Sequence, residues 1–196
     1  MERKELESAA AQVTHLRGLF GIPIGLLFIL TGVGNLGWAP LANPWIFLAC
    51  LGLLVATALA IYRYYNDNYG RATPSRGRQV RYALASVLIG AAMVGGPIVD
   101  FNVDLPVSLF AAGFALAMLA WFAICVGLKR RHLVIWGALL VVGLLPIWGG
   151  LSDKISVAWF PMGVATIVAG IFDHLALVRS FGPAKDADFE NSNVGA

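Results

Sequence analysis

Two small groups of residues in this chain could do chemistry, and they fall at opposite ends of long apolar segments. The first is Asp100, Asn102, Asp104 and Asp153, with Asn35 and Asn43 in comparable short connections. Carboxylates that converge on a wet cleft can bind a cation or a cationic ligand. The plainer role, and the favoured one, is that short turns use Asp and Asn to cap helices and satisfy backbone groups. The second group is Asp173 and His174, followed by Arg179. A carboxylate at a membrane boundary needs a cation, and Arg17, Arg63, Arg81 and Arg179 all reach that level. An Asp–His pair could also serve acid–base catalysis. However, no Ser or Cys nucleophile can be placed beside it, and HExxH is missing. An inner-rim ion pair among Asp173, His174 and Arg179 is the expectation, with no catalytic residue assigned.

Cys50 and Cys125 are the only cysteines, and both lie inside apolar runs. They show neither CxxC nor Cys/His ligand spacing, so they read as small packing residues, and neither a metal nor a cofactor is expected.

The elements that must position these groups follow from composition. Of 196 residues, 59% are hydrophobic and 13% charged, and the mean hydropathy is +0.76. A soluble domain is typically about 45–50% apolar and about 25% charged. A helix that crosses a bilayer needs about 20 mostly apolar residues. Six runs meet that test: about 18–38, 44–62, 80–99, 105–128, 132–148 and 155–178. The predicted fold is an all-α membrane protein, a six-helix transmembrane bundle of three hairpins. Residues 1–17 read as an amphipathic cytoplasmic arm, and 179–196 as a polar, disordered cytoplasmic tail. The mixed charge of the first residues and the late start of the first run favour a retained span over a cleaved signal.

Charge sets the expected orientation. With both termini cytoplasmic, 13 of the 14 Lys and Arg fall on the inner side, and only Lys154 is outside. That bias matches the positive-inside rule, and Trp38, Trp45, Trp148 and Trp159 then form an outer aromatic belt. Arginine outnumbers lysine and alanine is abundant, which suggests a bacterial plasma (inner) membrane.

Between the rims the six runs carry no Lys, Arg, Asp or Glu, only Thr31, Thr57, Ser86, Ser108 and Thr166. Proton pumps and ion-coupled carriers generally keep such a group at mid-membrane, so this chain argues against both. The runs do carry small residues at four-residue spacing, Gly21 with Gly25 and then Gly52, Ala56 and Ala60. Such stripes let membrane helices approach closely, within one bundle or between copies, and a homo-oligomer stays open.

The longest hydrophilic stretch holds Arg63, Arg71, Arg76, Arg78 and Arg81. Beside apolar spans these residues point to anionic lipid headgroups or a cytoplasmic protein partner rather than nucleic acid. The preferred reading is a non-enzymatic membrane protein that works by interaction, as sensor, regulator or accessory subunit. Two alternatives are a small transporter or channel for a neutral or apolar solute, with Gly95-Gly96-Pro97 and Leu145-Pro146 as breaks, and a membrane-embedded lipid-modifying enzyme.

Overall fold

The computed structural model describes residues 16–69, 76–149 and 153–181. Most of the predicted arm, Arg71 and the predicted tail beyond residue 181 lie outside the described residues. Every element described is helical. After a single 3-10 turn, Gly18–Phe20, come α1 (Gly21–Asn35), the four-residue α2 (Ala39–Ala42), α3 (Pro44–Tyr69), α4 (Arg76–Asn102), α5 (Leu109–Cys125), α6 (Arg130–Leu144) and α7 (Lys154–Phe181). Four segments are long and apolar enough to cross a membrane: Gly18–Asn35, Pro44–Tyr69, Arg76–Asn102 and Lys154–Ser180. This suggests a membrane protein.

The other two helices are shorter than the runs 105–128 and 132–148 imply. With 17 and 15 residues, α5 and α6 are about 25 and 22 Å long against a hydrocarbon core of about 30 Å. Backbone chemistry, to which hydropathy is blind, sets their ends. Pro106 lies in a non-helical lead-in to α5, and Gly127, at φ +89, follows its C-terminus. Pro146 follows the end of α6 and cannot continue its hydrogen bonds.

Helices α3 and α4 deviate the other way, because both run on into the hydrophilic stretch. Arg63 lies within α3, and Arg76, Arg78 and Arg81 within α4. Arginine continues a helix readily outside the apolar window. Helix α4 also passes unbroken through Gly95, Gly96 and Pro97 to Asn102. A Cβ on Gly96 would lie 2.8 Å from the Cα of Phe110, so α4 and α5 touch backbone to backbone there.

The core gathers around α5, whose Phe110, Ala111, Ala112, Phe114, Ala115 and Phe122 are buried against α4, α6 and α7. The closest helix pair joins the two ends of the sequence. Along α1 and the preceding turn, Gly18, Gly21, Gly25 and Gly32 meet the backbone of α7. A Cβ on Gly25 would lie 2.5 Å from the carbonyl oxygen of Gly163, and one on Gly163 would lie 2.6 Å from that of Gly25. Close approach of this kind holds membrane helices together where hydrophobic force between them is weak. Within the first predicted hairpin, α1 therefore gives its glycine face to α7 rather than to α3.

Helix α3 stands apart. Tyr65 is its only buried residue, while Trp45, Leu53 and Leu59 are 77%, 69% and 57% exposed. Gly52, where the small-residue stripe of this helix begins, would give an added Cβ open space.

Candidate functional site

At one end of the helices, α4, α5, α6 and α7 are tied into a polar knot. Asp100, predicted to lie in a connecting loop, is in the last turns of α4 and is buried. Its Oδ1 accepts from the amide of Leu109 at 2.8 Å. Its Oδ2 accepts from the amide of Phe110 and from the Ser108 hydroxyl, both at 3.0 Å. Ser108 in turn accepts from the amide of Ala111 at 3.2 Å. The first amides of α5, orphaned in any helix start, are thus capped twice, once by their own N-cap and once by the helix before.

Lys154 completes the knot. It is buried, its Nζ lies 3.5 Å from Asp100 Oδ1, and it donates to the carbonyl oxygens of Leu105 and Val107 at 3.3 and 3.4 Å. Two further backbone bonds stitch the segments beside it, Ser108 N–H to Gly143 at 2.8 Å and Trp148 N–H to Pro106 at 3.0 Å. A cavity of about 420 Å³ lies over this knot, lined by Asp100, Phe101, Asp104, Trp148, Asp153, Lys154, Ile155 and Ser156. Three of the four predicted acidic-end residues therefore share one cleft. Asn102 does not line it; its side-chain amide donates back to Ile98 of the same helix at 2.7 Å. Within the cleft the Asp100 carboxylate is consumed by capping, which leaves Asp104 and Asp153 facing the space beside Trp148.

The opposite end holds two linked polar groups. Asp173 on α7 is buried and accepts from Arg131 Nε at 2.9 Å, with Arg131 Nη2 at 2.7 Å. His132 Nε2 lies 3.1 Å from the same oxygen, so with Asp173 ionised that nitrogen donates the hydrogen. The imidazole is fully buried and stacks on Phe122 with ring centres 3.8 Å apart. The partners of Asp173 are therefore the start of α6, not Arg179 or His174 as the sequence implied. Arg179 is exposed at the last turn of α7.

His174 turns instead toward α3. The Tyr65 hydroxyl lies 3.1 Å from His174 Nδ1 and accepts the amide of Leu19 at 3.0 Å. Arg17 lies 5.7 Å over the Tyr65 ring and donates to Asn66 Oδ1 at 3.4 Å. Tyr64 and Tyr69 pack against the same ring. This cluster ties the C-terminal end of α3 to the turn before α1 and to α7. No protein family, curated protein or solved structure matches the chain.

Arg63, Arg76 and Arg81 are exposed and Arg78 is half-buried, and among the described residues no group of ligands could hold a metal ion. Arg131, His132 and Lys154 were missed as site residues. Their signal was present, in the Lys129-Arg130-Arg131 run beside a histidine and in a lone basic residue on the otherwise acidic side. Only the packing of α6 against α7, and of α7 against the end of α4, gave those residues their carboxylate partners.

Proposed function

We propose that this protein is a multi-pass membrane protein that works by association, presenting the free face of α3 to a transmembrane helix of another membrane protein. The isolation of α3 carries this reading. Trp45, Gly52, Ala56, Ala60 and Arg63 are all exposed, and their spacing puts them on one side of the helix. A span that is anchored at one end by Tyr65 and leaves a small-residue face unpacked suits close approach by a second helix. Sensor, regulator and accessory subunit are roles of this kind. Among the described residues, no nucleophile and base meet in a shared cleft. The Gly95-Gly96-Pro97 segment is continuous helix packed on Phe110 through Gly96, which gives a solute path no opening at that point.

In the topology we propose, both termini are cytoplasmic and six helices cross, with the short α5 and α6 sheltered by their longer neighbours. Lys154, the single basic residue assigned to the outer side, is buried against Asp100, so it adds little free positive charge there. The orientation rests on the bias itself, with 13 of the 14 Lys and Arg assigned to the inner side. The test is a photo-crosslinking residue at Gly52 or Ala56 in native membranes. A discrete protein adduct supports association through α3, and lipid adducts alone oppose it.

A further inference from the structure

A second feature lies on the far side of the molecule, between α6 and α7. An apolar groove of about 340 Å³ is lined by Val134, Ala138 and Val142 from α6 and by Pro161, Val164 and Val168 from α7, among others. Val134 is 70% and Val164 53% exposed, so the groove opens outward. From Val134 to Val142 it follows α6 for about 12 Å, close to the roughly 15 Å depth of one leaflet's hydrocarbon. One end of the groove is charged. Arg130 stands one helical turn before Val134 on the same side of α6, and Lys129 precedes it; both are exposed. Arg131, the third member of the run, is occupied by Asp173. The positive end of the α6 dipole has the same sign at this place. An apolar slot of leaflet depth that ends under two exposed cations matches a molecule with an acyl chain and an anionic head.

We propose that this groove binds an anionic phospholipid, with one acyl chain between α6 and α7 and its phosphate held by Lys129 and Arg130. The inference rests on the chain spanning a membrane, not on the association of α3. An exposed apolar groove alone would take any lipid chain; the two cations select the negative head. A free phosphate would gain nothing from the groove, so phosphate and lipid are separable in one experiment.

The test uses the full chain in neutral detergent, titrated with phosphatidylglycerol, phosphatidylcholine or inorganic phosphate, with bound lipid read by native mass spectrometry. Phosphatidylglycerol is expected to bind in preference to the other two. In K129Q/R130Q its affinity falls roughly 30-fold, from about five-fold per basic residue at a membrane surface. V164F, which fills the groove without changing charge, weakens the same binding, and R76Q/R81Q leaves it in place. Thermal melts without lipid establish that each variant is folded. Equal retention of phosphatidylcholine and phosphatidylglycerol by the unaltered chain, or full phosphatidylglycerol binding by folded K129Q/R130Q, overturns the proposal.

Discussion

Asp100 caps a helix to which it does not belong: its Oδ1 lies 2.8 Å from the amide of Leu109, the first residue of α5. The same carboxylate is the counter-charge of buried Lys154. Its removal should therefore cost far more than a surface cap. Asp100→Ala is expected to destabilise the protein by about 3 to 5 kcal/mol, because it leaves a buried cation without its partner. Lys154→Met should cost less, about 1 to 2 kcal/mol, since Asp100 keeps three hydrogen-bond donors. Thermal melts in detergent measure both, and the order of the two variants is the informative result.

Glycine contacts make a second prediction with an internal control. Gly25→Ala and Gly163→Ala each drive a Cβ into backbone carbonyl oxygen on the facing helix, so α1 and α7 must separate. Each change should cost about 1 to 3 kcal/mol. Gly52→Ala meets open space and should leave the melt of the isolated protein unchanged or slightly raised, since alanine is the better helix former.

At the other end, the ion pair separates two superficially similar arginines. Arg131→Gln strips the charged partner from buried Asp173 and should cost about 3 kcal/mol. Arg179→Gln, at an exposed site, should stay within about 0.5 kcal/mol. Tyr65→Phe removes the acceptor of the Leu19 amide and the partner of His174, a loss of about 1 to 2 kcal/mol. Equal melts for the two arginine variants would contradict the assignment of Arg131 to Asp173.

Topology can be read by labelling. With Cys50 and Cys125 replaced by alanine, a cysteine at exposed Asp104 or Asp153 should react with a membrane-impermeant maleimide in intact cells. A cysteine at exposed Arg63 or Lys129 should react only after permeabilisation. Lys129 decides whether α5 and α6 both cross, because it lies on the Asp104 side if they do not.

The sequence made the helical class and the apolar segments legible, because runs such as 80–99 need no tertiary information to be recognised. Helix ends were less legible. Hydropathy marks where the apolar window stops, whereas Gly127 and Pro146 stop α5 and α6 earlier, and Arg76 to Arg81 extend α4 beyond it. Capping by Asp was anticipated, but the identity of the capped helix was not, since Asp100 acts across a turn. Asp173 was recognised as needing a cation. Its partners are 41 and 42 residues away, and only packing of α6 on α7 selects them over the nearer Arg179. The free face of α3 could not be foreseen at all, because the stripe at Gly52, Ala56 and Ala60 has the same spacing as the packed one at Gly21 and Gly25.

That free face is the centre of the account, and crosslinking from it in native membranes is the most direct test. A photo-reactive residue at Gly52 or Ala56 should give one discrete protein adduct. The adduct should be lost in Gly52→Leu crosslinked from Ala56, a variant whose melt is unchanged, and a probe at exposed Val87 on α4 should not give it. A chain that yields only lipid adducts from both α3 positions, or the same protein adduct from Val87, would contradict association through α3.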